Sequence, residues 1–272
     1  MFQLFRADEE GVPSDDRGLA YGDGLFETLR VSGDHAPLLN PHLDRLVRDA
    51  GRLGIPVPRG DLEKTCLQIM AREAGQYDGR PWVLKLILTR GGSGRGYQPE
   101  PGASPHLLVR HGPAPDAPPE GGVDIDFSPV PLTVNPVLAG IKSLNRLEQV
   151  MAAKAMPEGI FEVLMSNAEG QVVEGTRTNL FLATDDGWQT PPASTLAVCG
   201  VMRRHVLACL HNAGEPVVEA PVTLDQLGPD RCRGLYLTNS VLGVVPVRTL
   251  AGQALPVTRR LATIAFSSQV ME

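Results

Sequence analysis

The chain has 272 residues and a formal net charge of −6 at pH 7, with 42% hydrophobic and 21% charged residues. This length suffices for one large domain or two smaller ones, and the composition is that of an ordinary globular protein. An acidic chain gives no electrostatic reason to bind nucleic acid or an anionic membrane surface, so we expect neither as a partner. No stretch approaches the roughly 18 apolar residues of a membrane span, and the start of the chain does not resemble a signal peptide.

The cysteines predict neither a metal site nor a disulfide framework. They form no Cys-x-x-Cys pair and have no neighbouring histidine cluster, so zinc is not expected. Cys66 and Cys209 lie in apolar helical patterns, which predicts buried thiols in the core. We therefore expect reduced thiols and a cytoplasmic protein.

The N-terminal half intermixes helices and strands. Asn40-Pro41 predicts the N-cap and first residue of a helix that ends at Gly54. Asp61 predicts the cap of a second helix. Trp82 to Thr89 has the composition of a strand, and Leu107 to Arg110 forms a short apolar run.

A Pro- and Gly-rich stretch from Gly112 to Gly122 interrupts the pattern, because it can continue neither a helix nor a strand. We expect it to be an inter-domain linker. The predicted division is a small α/β domain over residues 1–112, a linker over 113–122, and a larger α/β domain over 123–272 that carries Lys142.

The C-terminal half shows strand patterns before and after two predicted helices. The predicted elements are a strand at Val123 to Val130, a helix at Asn145 to Met156, a hairpin of Glu162 to Ser166 with Gln171 to Glu174, a strand at Thr178 to Ala183, a helix at Val201 to Asn212, short strands at Leu235 to Thr238 and Val244 to Val247, and a last helix from Pro256. An α+β, mixed α/β fold with a mostly antiparallel or mixed sheet fits this order better than a regular βαβ alternation.

Two residues carry the chemistry that the sequence suggests. Lys142 lies in Ile141-Lys142-Ser143-Leu144-Asn145, and Glu174 opens Glu174-Gly175-Thr176-Arg177-Thr178-Asn179-Leu180-Phe181. A lysine that can form an imine and a carboxylate that can pair with a pyridine nitrogen are what a pyridoxal phosphate enzyme needs. The chain has few other candidates for the imine, since its remaining lysines are only Lys64, Lys85 and Lys154. Lys85 and Lys154 are expected to be surface or snorkelling residues.

Together with Tyr21-Gly22-Asp23-Gly24-Leu25-Phe26-Glu27, these motifs resemble the class IV pyridoxal phosphate aminotransferases. The resemblance runs from about Asp16 to Val247. It implies the two-domain, D-amino acid aminotransferase-like architecture of fold type IV, with pyridoxal 5'-phosphate as cofactor. It also implies a homodimer with the site near the interface.

Within the family, two segments look most like the 4-amino-4-deoxychorismate lyases. These are Lys142 to Val150, which resembles Lys-x-Leu-Asn-Arg-Leu-Glu-Gln-Val, and Thr89 to Tyr97, which resembles Arg-Gly-x-x-Gly-Arg-Gly-Tyr. The resemblance implies an enzyme that eliminates pyruvate from aminodeoxychorismate to give 4-aminobenzoate on the folate route. A D-amino acid or branched-chain aminotransferase stays open as the alternative, because D-amino acid aminotransferases share the Ile-Lys-Ser-Leu-Asn core.

The resemblance also implies roles for residues that contact the cofactor. Lys142 would hold it covalently and carry protons, and Glu174 would pair with its pyridine nitrogen. Arg45 would grip its phosphate; read without the family, Arg45 is a charge on a helix face. The start of the predicted helix, Gly200-Val201-Met202, would bind the phosphate through backbone amides, and Asn239 and Ser240 would supply further contacts. Plain turn chemistry explains either of these last two segments equally well.

Three residues are candidates for contacts with the substrate or its protons. Thr28 follows the Gly22 to Glu27 motif where the lyases carry a threonine, and its hydroxyl would relay or orient a proton. The alternative is that Thr28 is simply a residue that favours a strand. Arg95 and Tyr97 are expected to contact the carboxylates of the substrate.

Overall fold

The computed structural model describes residues 1–7, 9–92 and 96–266. The structure divides into two compact units: Met1–Pro115 together with Lys142–Asn145, and Asp116–Ile141 together with the chain from Arg146 onward. The expected boundaries differ from this division at Lys142, which they assign to the second domain.

The first unit contains one mixed sheet in the order β1-β4-β3-β2, in which β1 and β4 are parallel and the other neighbours antiparallel. Its strands are β1 (Gln3–Arg6), β2 (Gly24–Val31), β3 (Trp82–Thr89) and β4 (His106–Pro113). Alternate residues of β2 and β3 are buried, as expected for strands with one face on a core. The predicted strand at Trp82 to Thr89 is confirmed.

The helices of the first unit are α1 (Arg17–Tyr21), α2 (Leu39–Leu53) and α3 (Arg59–Glu73). Gly54 ends α2 in the left-handed conformation with a φ of 69°, as the sequence predicted. Helices α2 and α3 both begin earlier in the chain than the sequence predicted. Leu38 is the N-cap of α2, so that Asn40 lies inside the helix, and Pro58 is the N-cap of α3, so that Asp61 lies in its first turn.

The second unit is built on a larger mixed sheet in the order β10-β9-β8-β11-β12-β5-β6-β7, with β13 paired to β12. Its strands are β5 (Val123–Phe127), β6 (Glu162–Ser166), β7 (Val172–Gly175), β8 (Asn179–Thr184), β9 (Gly187–Thr190), β10 (Val217–Glu219), β11 (Gly234–Asn239), β12 (Gly243–Leu250) and β13 (Gln253–Ala254). One sheet face buries an apolar cluster that includes Leu180, Leu235, Leu237 and Val245. The hairpin of β6 and β7 is antiparallel, as predicted.

The helices of the second unit are α4 (Leu147–Ala155), α5 (Val201–Asn212) and α6 (Arg260–Ala265). The prediction of α5 was right at both ends. The prediction that Pro256 opens the last helix was wrong, because α6 begins only at Arg260. Pro256 can start a helix only if the next residues have helical geometry, and here they are irregular.

Burial supports the interpretation of two cysteines. Cys66 and Cys209 are both buried, which confirms them as core residues. Among residues 1–7, 9–92 and 96–266, no helix combines the length and the apolar character that a bilayer crossing requires.

Candidate active site

Backbone hydrogen bonds pair the segment around Lys142 with strand β2, which contains the second half of the Tyr21 to Glu27 motif. The amide of Phe26 donates to the carbonyl of Lys142 at 3.1 Å, and the amide of Leu144 donates to the carbonyl of Gly24 at 3.0 Å. The Lys142 Nζ atom lies 4.2 Å from the centroid of the Phe26 ring. This pairing explains why the segment belongs with the first unit, although the sequence placed it in the second domain.

One face of β2 presents Phe26 and Thr28, because side chains alternate along a strand. Thr28 is directly opposite Lys85 on β3. The Lys85 Nζ atom lies 5.3 Å from the centroid of the Phe26 ring. Lys85 and Lys142 therefore both lie beside this ring. Lys85 is half-buried on this face, next to the predicted proton-relay residue. Sequence reasoning missed this placement, which depends on the register between β2 and β3.

The opposite face of β2 carries a buried ionic cluster beneath α2. Arg45 Nε donates to Glu27 Oε1 at 2.7 Å, and Arg45 Nη2 donates to Glu27 Oε2. His42 Nδ1, one turn earlier on α2, lies 2.6 Å from Glu27 Oε2. All three side chains are almost fully buried. Glu27 therefore holds the predicted phosphate-binding arginine in place.

The cluster also sets the charge states of its members. Burial alone would raise the pKa of Glu27, but the charges and hydrogen bonds of Arg45 and His42 lower it to about 2. Burial lowers the pKa of His42 against the opposing effect of Glu27, and the charges of Arg45 and Lys142 lower it further. Near neutral pH we therefore expect an ionised Glu27 that accepts a hydrogen bond from the Nδ1–H of a neutral His42.

The segment that contains Tyr97 is tied to the start of the motif by the buried side chain of Arg17. Its two terminal nitrogens donate to the carbonyls of Gly96 and Tyr97 at 2.9 and 2.7 Å, and its Nε donates to Asp23 at 3.0 Å. The Tyr97 side chain is 86% exposed and touches Tyr21 edge-on. The predicted contact Arg95 lies outside the described residues.

In the second unit, Glu174 lies near the end of β7 and is buried. Its Oε2 atom accepts a hydrogen bond from the amide of Val198 at 3.0 Å. The loop after Glu174 is held by the fully buried Glu162, whose carboxylate accepts from the Thr176 amide at 3.0 Å, the Thr176 hydroxyl at 2.6 Å and the Thr178 hydroxyl at 3.0 Å. Glu174 thus lies at the end of β7, next to a loop that Glu162 holds through these three hydrogen bonds.

Asn179 connects the turn that contacts Glu174 to the start of α5. Its Nδ2 donates to the carbonyl of Val198 at 2.9 Å, and its Oδ1 accepts from the amide of Gly200 at 3.0 Å. Gly200 is the N-cap of α5, and a Cβ at this position would collide with Asn179 Oδ1. Val201 and Met202 follow as the first helical residues, with neither a side-chain cap nor an acidic residue in the first turn.

Asn239 and Ser240 lie at the end of β11 and in the turn that follows. The Asn239 side chain caps this turn, because its Oδ1 accepts from the amides of Val241 and Leu242 at 3.0 and 2.8 Å. Its Nδ2 donates to the carbonyl of Arg177 at 3.4 Å, in the loop that follows Glu174. The second unit thus brings Asn239 next to the Glu174 loop.

Comparison with known proteins identifies the family. The sequence pattern described as Amino-transferase class IV matches residues 24–250. An aminodeoxychorismate lyase of Vibrio harveyi is 33% identical over 255 residues, which is 91% of this chain and 90% of that protein. A D-alanine aminotransferase of Bacillus licheniformis is 29% identical over 281 residues, or 99% of this chain and 96% of that protein.

Solved structures agree in fold. The crystal structure of 4-amino-4-deoxychorismate lyase from Pseudomonas aeruginosa matches with a TM-score of 0.87 and 36% identity, over 94% of this chain and 93% of that one. This confirms the mixed α/β, fold type IV architecture that the motifs implied. The chain belongs to the class IV aminotransferase family and is an enzyme that uses pyridoxal 5'-phosphate.

Proposed function

We propose that this enzyme is a 4-amino-4-deoxychorismate lyase, which converts aminodeoxychorismate to 4-aminobenzoate and pyruvate. The observation that carries the proposal is the sheet face on which the Thr28 hydroxyl neighbours Phe26, whose ring contacts Lys142. A hydroxyl at the position of Thr28 suits an elimination reaction, because such a reaction transfers a proton close to Lys142. The similarity to two lyases over nearly the whole chain supports the same conclusion.

The available groups fit pyridoxal 5'-phosphate. Lys142 offers a primary amine, and Glu174 offers a buried carboxylate oriented by the Val198 amide. The first turn of α5, with no side-chain cap and no acidic residue, offers backbone amides to a phosphate. Arg45, held by Glu27 in the first unit, has a guanidinium that suits a phosphate. When bound, the cofactor supplies an electron sink for the carbanion that forms on deprotonation.

The residues of this chain then have distinct tasks. Glu174 would keep the pyridine nitrogen protonated by accepting its hydrogen bond. Lys142 would hold the cofactor through its amine and would also act as the base that removes the proton from the ring carbon that bears the substrate amine. Cleavage of the bond from the neighbouring ring carbon to the enolpyruvyl oxygen would make the ring aromatic, and the leaving enolpyruvate would take up one proton at its methylene carbon to become pyruvate, which balances the proton removed from the ring. The net reaction therefore needs no second amino acid or keto acid.

We further propose that cations near this face orient the substrate, which carries two carboxylates. Lys85 lies beside Thr28 and Phe26, and a half-buried ammonium suits an anionic group there. The sequence motif suggests two further substrate contacts, Arg95 and Tyr97, and the backbone carbonyl of Tyr97 accepts a hydrogen bond from Arg17. Thr28 would orient or relay the proton.

A D-amino acid aminotransferase is the second candidate, because the Ile-Lys-Ser-Leu-Asn core resembles that of D-amino acid aminotransferases and the chain is 29% identical to a D-alanine aminotransferase. The two functions differ in what they consume. The test is to incubate the holoenzyme with aminodeoxychorismate alone and, separately, with D-alanine and 2-oxoglutarate. The lyase assignment predicts 4-aminobenzoate in the first reaction and no D-glutamate in the second; the reverse result would assign an aminotransferase.

The homodimer, the cytoplasmic location and the linker at residues 113–122 stay predictions. Light scattering coupled to gel filtration measures the mass directly, and a dimer predicts about twice the 29.2 kDa of one chain. A monomeric mass at micromolar concentration would contradict the dimer.

A further inference from the structure

Two cations lie directly opposite each other on the sheet of the first unit. Lys85 on β3 pairs in register with Arg110 on β4, and residues that pair in this way in an antiparallel sheet point to the same face. Like charges at such a pair repel, because the side chains leave their strands only about 5 Å apart. The pairing therefore destabilises the sheet unless an anion compensates it.

No carboxylate compensates these cations within the described residues 1–7, 9–92 and 96–266. The Lys85 ammonium contacts the Phe26 ring, and the Arg110 side chain forms neither a hydrogen bond nor an ion pair with the described residues. The acidic residue of the three central strands, Glu27, is buried on the opposite face. By contrast, the buried Arg17 and Arg45 of the same unit both pair with carboxylates. The charges of Lys85 and Arg110 therefore suit an anionic ligand.

The two cations lie on a face that is otherwise largely apolar. Lys85 is half-buried and Arg110 is exposed. The other members of this face on β2, β3 and β4 are half-buried side chains, namely Phe26, Thr28, Arg30, Val83, Ile87 and Leu108. Apolar surroundings lower the local dielectric and strengthen the attraction of a cation for a carboxylate. They also suit the carbon ring of a substrate.

The cations form a row that leads away from Lys142. Phe26, whose ring lies beside Lys142, is on β2, Lys85 is on the next strand, and Arg110 is on the strand after that, with about 4.8 Å between neighbouring strands. All four residues belong to the first unit. Aminodeoxychorismate has one carboxylate on the enolpyruvyl group beside its amine and another on the ring, opposite the amine. With the amine at Lys142, the nearer cation matches the first carboxylate and the farther cation matches the second.

We infer that Arg110 binds the ring carboxylate of the substrate while Lys85 binds the enolpyruvyl carboxylate. This inference rests on the proposed lyase function and adds Arg110 as a residue that determines specificity. A simple amino acid carries its carboxylate next to the amine and has no second anion for Arg110. The row of cations therefore favours a cyclic amine with two carboxylates over the substrates of an aminotransferase.

Calorimetric titration of the holoenzyme with two probes separates the two carboxylates. Chorismate carries both of them and has a hydroxyl in place of the amine, whereas 4-aminobenzoate carries only the ring carboxylate. Arg110→Met and Lys85→Met remove one charge each and keep an apolar stem. We expect Arg110→Met to weaken both probes by about 10-fold, and Lys85→Met to weaken chorismate by about 10-fold and leave 4-aminobenzoate unchanged. Arg110→Met should also raise the KM for aminodeoxychorismate with little change in kcat.

Arg80→Met and Lys64→Met are the matched controls, because both residues are exposed in the same unit and lie outside this sheet face. They remove the same charges from the protein and should leave both dissociation constants unchanged. The melting temperature of Arg110→Met should be unchanged or raised, because the repulsion from Lys85 is removed. A lower melting temperature would show that the Arg110 charge is already compensated within the chain and would overturn the inference.

Two binding results also overturn the inference. Unchanged affinity of Arg110→Met for both probes would remove Arg110 from the substrate site, and equal weakening in Arg80→Met would show an effect of net charge alone. Weakening of 4-aminobenzoate by Lys85→Met, with none by Arg110→Met, would reverse the assignment of the carboxylates. A failure of the lyase proposal is distinguishable, since the unmodified holoenzyme would then make no 4-aminobenzoate from aminodeoxychorismate.

Discussion

Arg45 and Glu27 form a buried, bidentate ion pair. Arg45 Nε donates to Glu27 Oε1 at 2.7 Å, and Arg45 Nη2 donates to Glu27 Oε2. The pair connects the motif strand β2 to helix α2. Its geometry is the planar fork that an arginine forms with a carboxylate. Glu27 thereby acts on the proposed phosphate site through Arg45.

Removing the charge of Glu27 should destabilise the protein strongly. Glu27→Gln leaves the Arg45 guanidinium buried without its counter-charge, which we expect to cost about 3–5 kcal/mol of unfolding free energy. Urea unfolding at pH 7 measures the loss. Glu63→Gln is the control, because Glu63 forms a partly exposed pair with Arg59 and its substitution should cost about 1 kcal/mol or less. A Glu27→Gln variant as stable as the control would contradict the role of the pair.

The same pair predicts a pH dependence of stability. The pKa of Glu27 in the folded protein is about 2, below its ordinary value of 4.5, so the folded state binds the proton less readily than the unfolded state. The stabilisation is therefore complete above about pH 4.5 and is lost as the pH falls toward 2. The stability difference between the unmodified protein and Glu27→Gln should shrink over this range; a difference that stays constant from pH 6 to about 2.5 would be inconsistent with the lowered pKa.

Lys142 should be the residue that binds the cofactor covalently. Borohydride reduction of the holoenzyme followed by peptide mass spectrometry should locate a pyridoxyl group on the peptide with Lys142. Lys85 is the informative comparison, since its ammonium group is also beside Phe26. Lys142→Ala should lower turnover by at least about 10²-fold with the fold intact, because the proton carrier is lost. Labelling that persists in Lys142→Ala and disappears in Lys85→Ala would reassign the lysine.

Glu174 should tune the cofactor more than it supports the fold. Glu174→Gln keeps the size of the side chain and removes the charge that favours a protonated pyridine, so turnover should fall by about 10-fold or more. The phosphate contacts should still retain the cofactor, which absorbance after gel filtration measures. The exposed Glu169→Gln, in the nearby hairpin turn, is the control. Wild-type turnover in Glu174→Gln would exclude Glu174 as the pyridine partner.

Thr28 should contribute its hydroxyl to the elimination step. Thr28→Val keeps a β-branched side chain on β2 and removes the hydroxyl, so kcat should fall by about 10²-fold with little change in the cofactor absorbance. Thr249→Val is the control, because it removes a strand hydroxyl that donates to Asp124 at 2.6 Å, and it should leave kcat unchanged. If kcat is unchanged in Thr28→Val, the threonine is simply a residue that suits a strand.

The sequence predicted those features that depend on local patterns. The bounds of α5 and the end of α2 at Gly54 follow from apolar spacing and cap residues. The motif that begins at Glu174 also contains Asn179. Its hydrogen bond with the Gly200 amide could not be predicted, because Gly200 lies 21 residues later in the chain. Irregular starts, such as those of α3 and α6, have no side-chain cap that a sequence pattern could reveal.

The contacts between distant segments could not be predicted. The sequence singled out Lys142, yet its pairing with Phe26 on β2 joins residues far apart in the chain. In the sequence, Glu27 was only the last residue of the Tyr21 to Glu27 motif. The resemblance to the family singled out Arg45, but nothing in the sequence paired it with Glu27. The position of Lys85 opposite Thr28 requires the register between β2 and β3, which the hydrophobic pattern alone does not specify.

The most direct test of the proposed lyase is the stoichiometry of its products. The holoenzyme is mixed with aminodeoxychorismate in the absence of any keto acid or amino acid, and 4-aminobenzoate and pyruvate are quantified over many turnovers, with Lys142→Ala as the control. The account predicts the two products in a one-to-one ratio, sustained turnover, and at least about 10²-fold less product with Lys142→Ala. Absence of 4-aminobenzoate from an enzyme that transaminates D-alanine under the same conditions would contradict it.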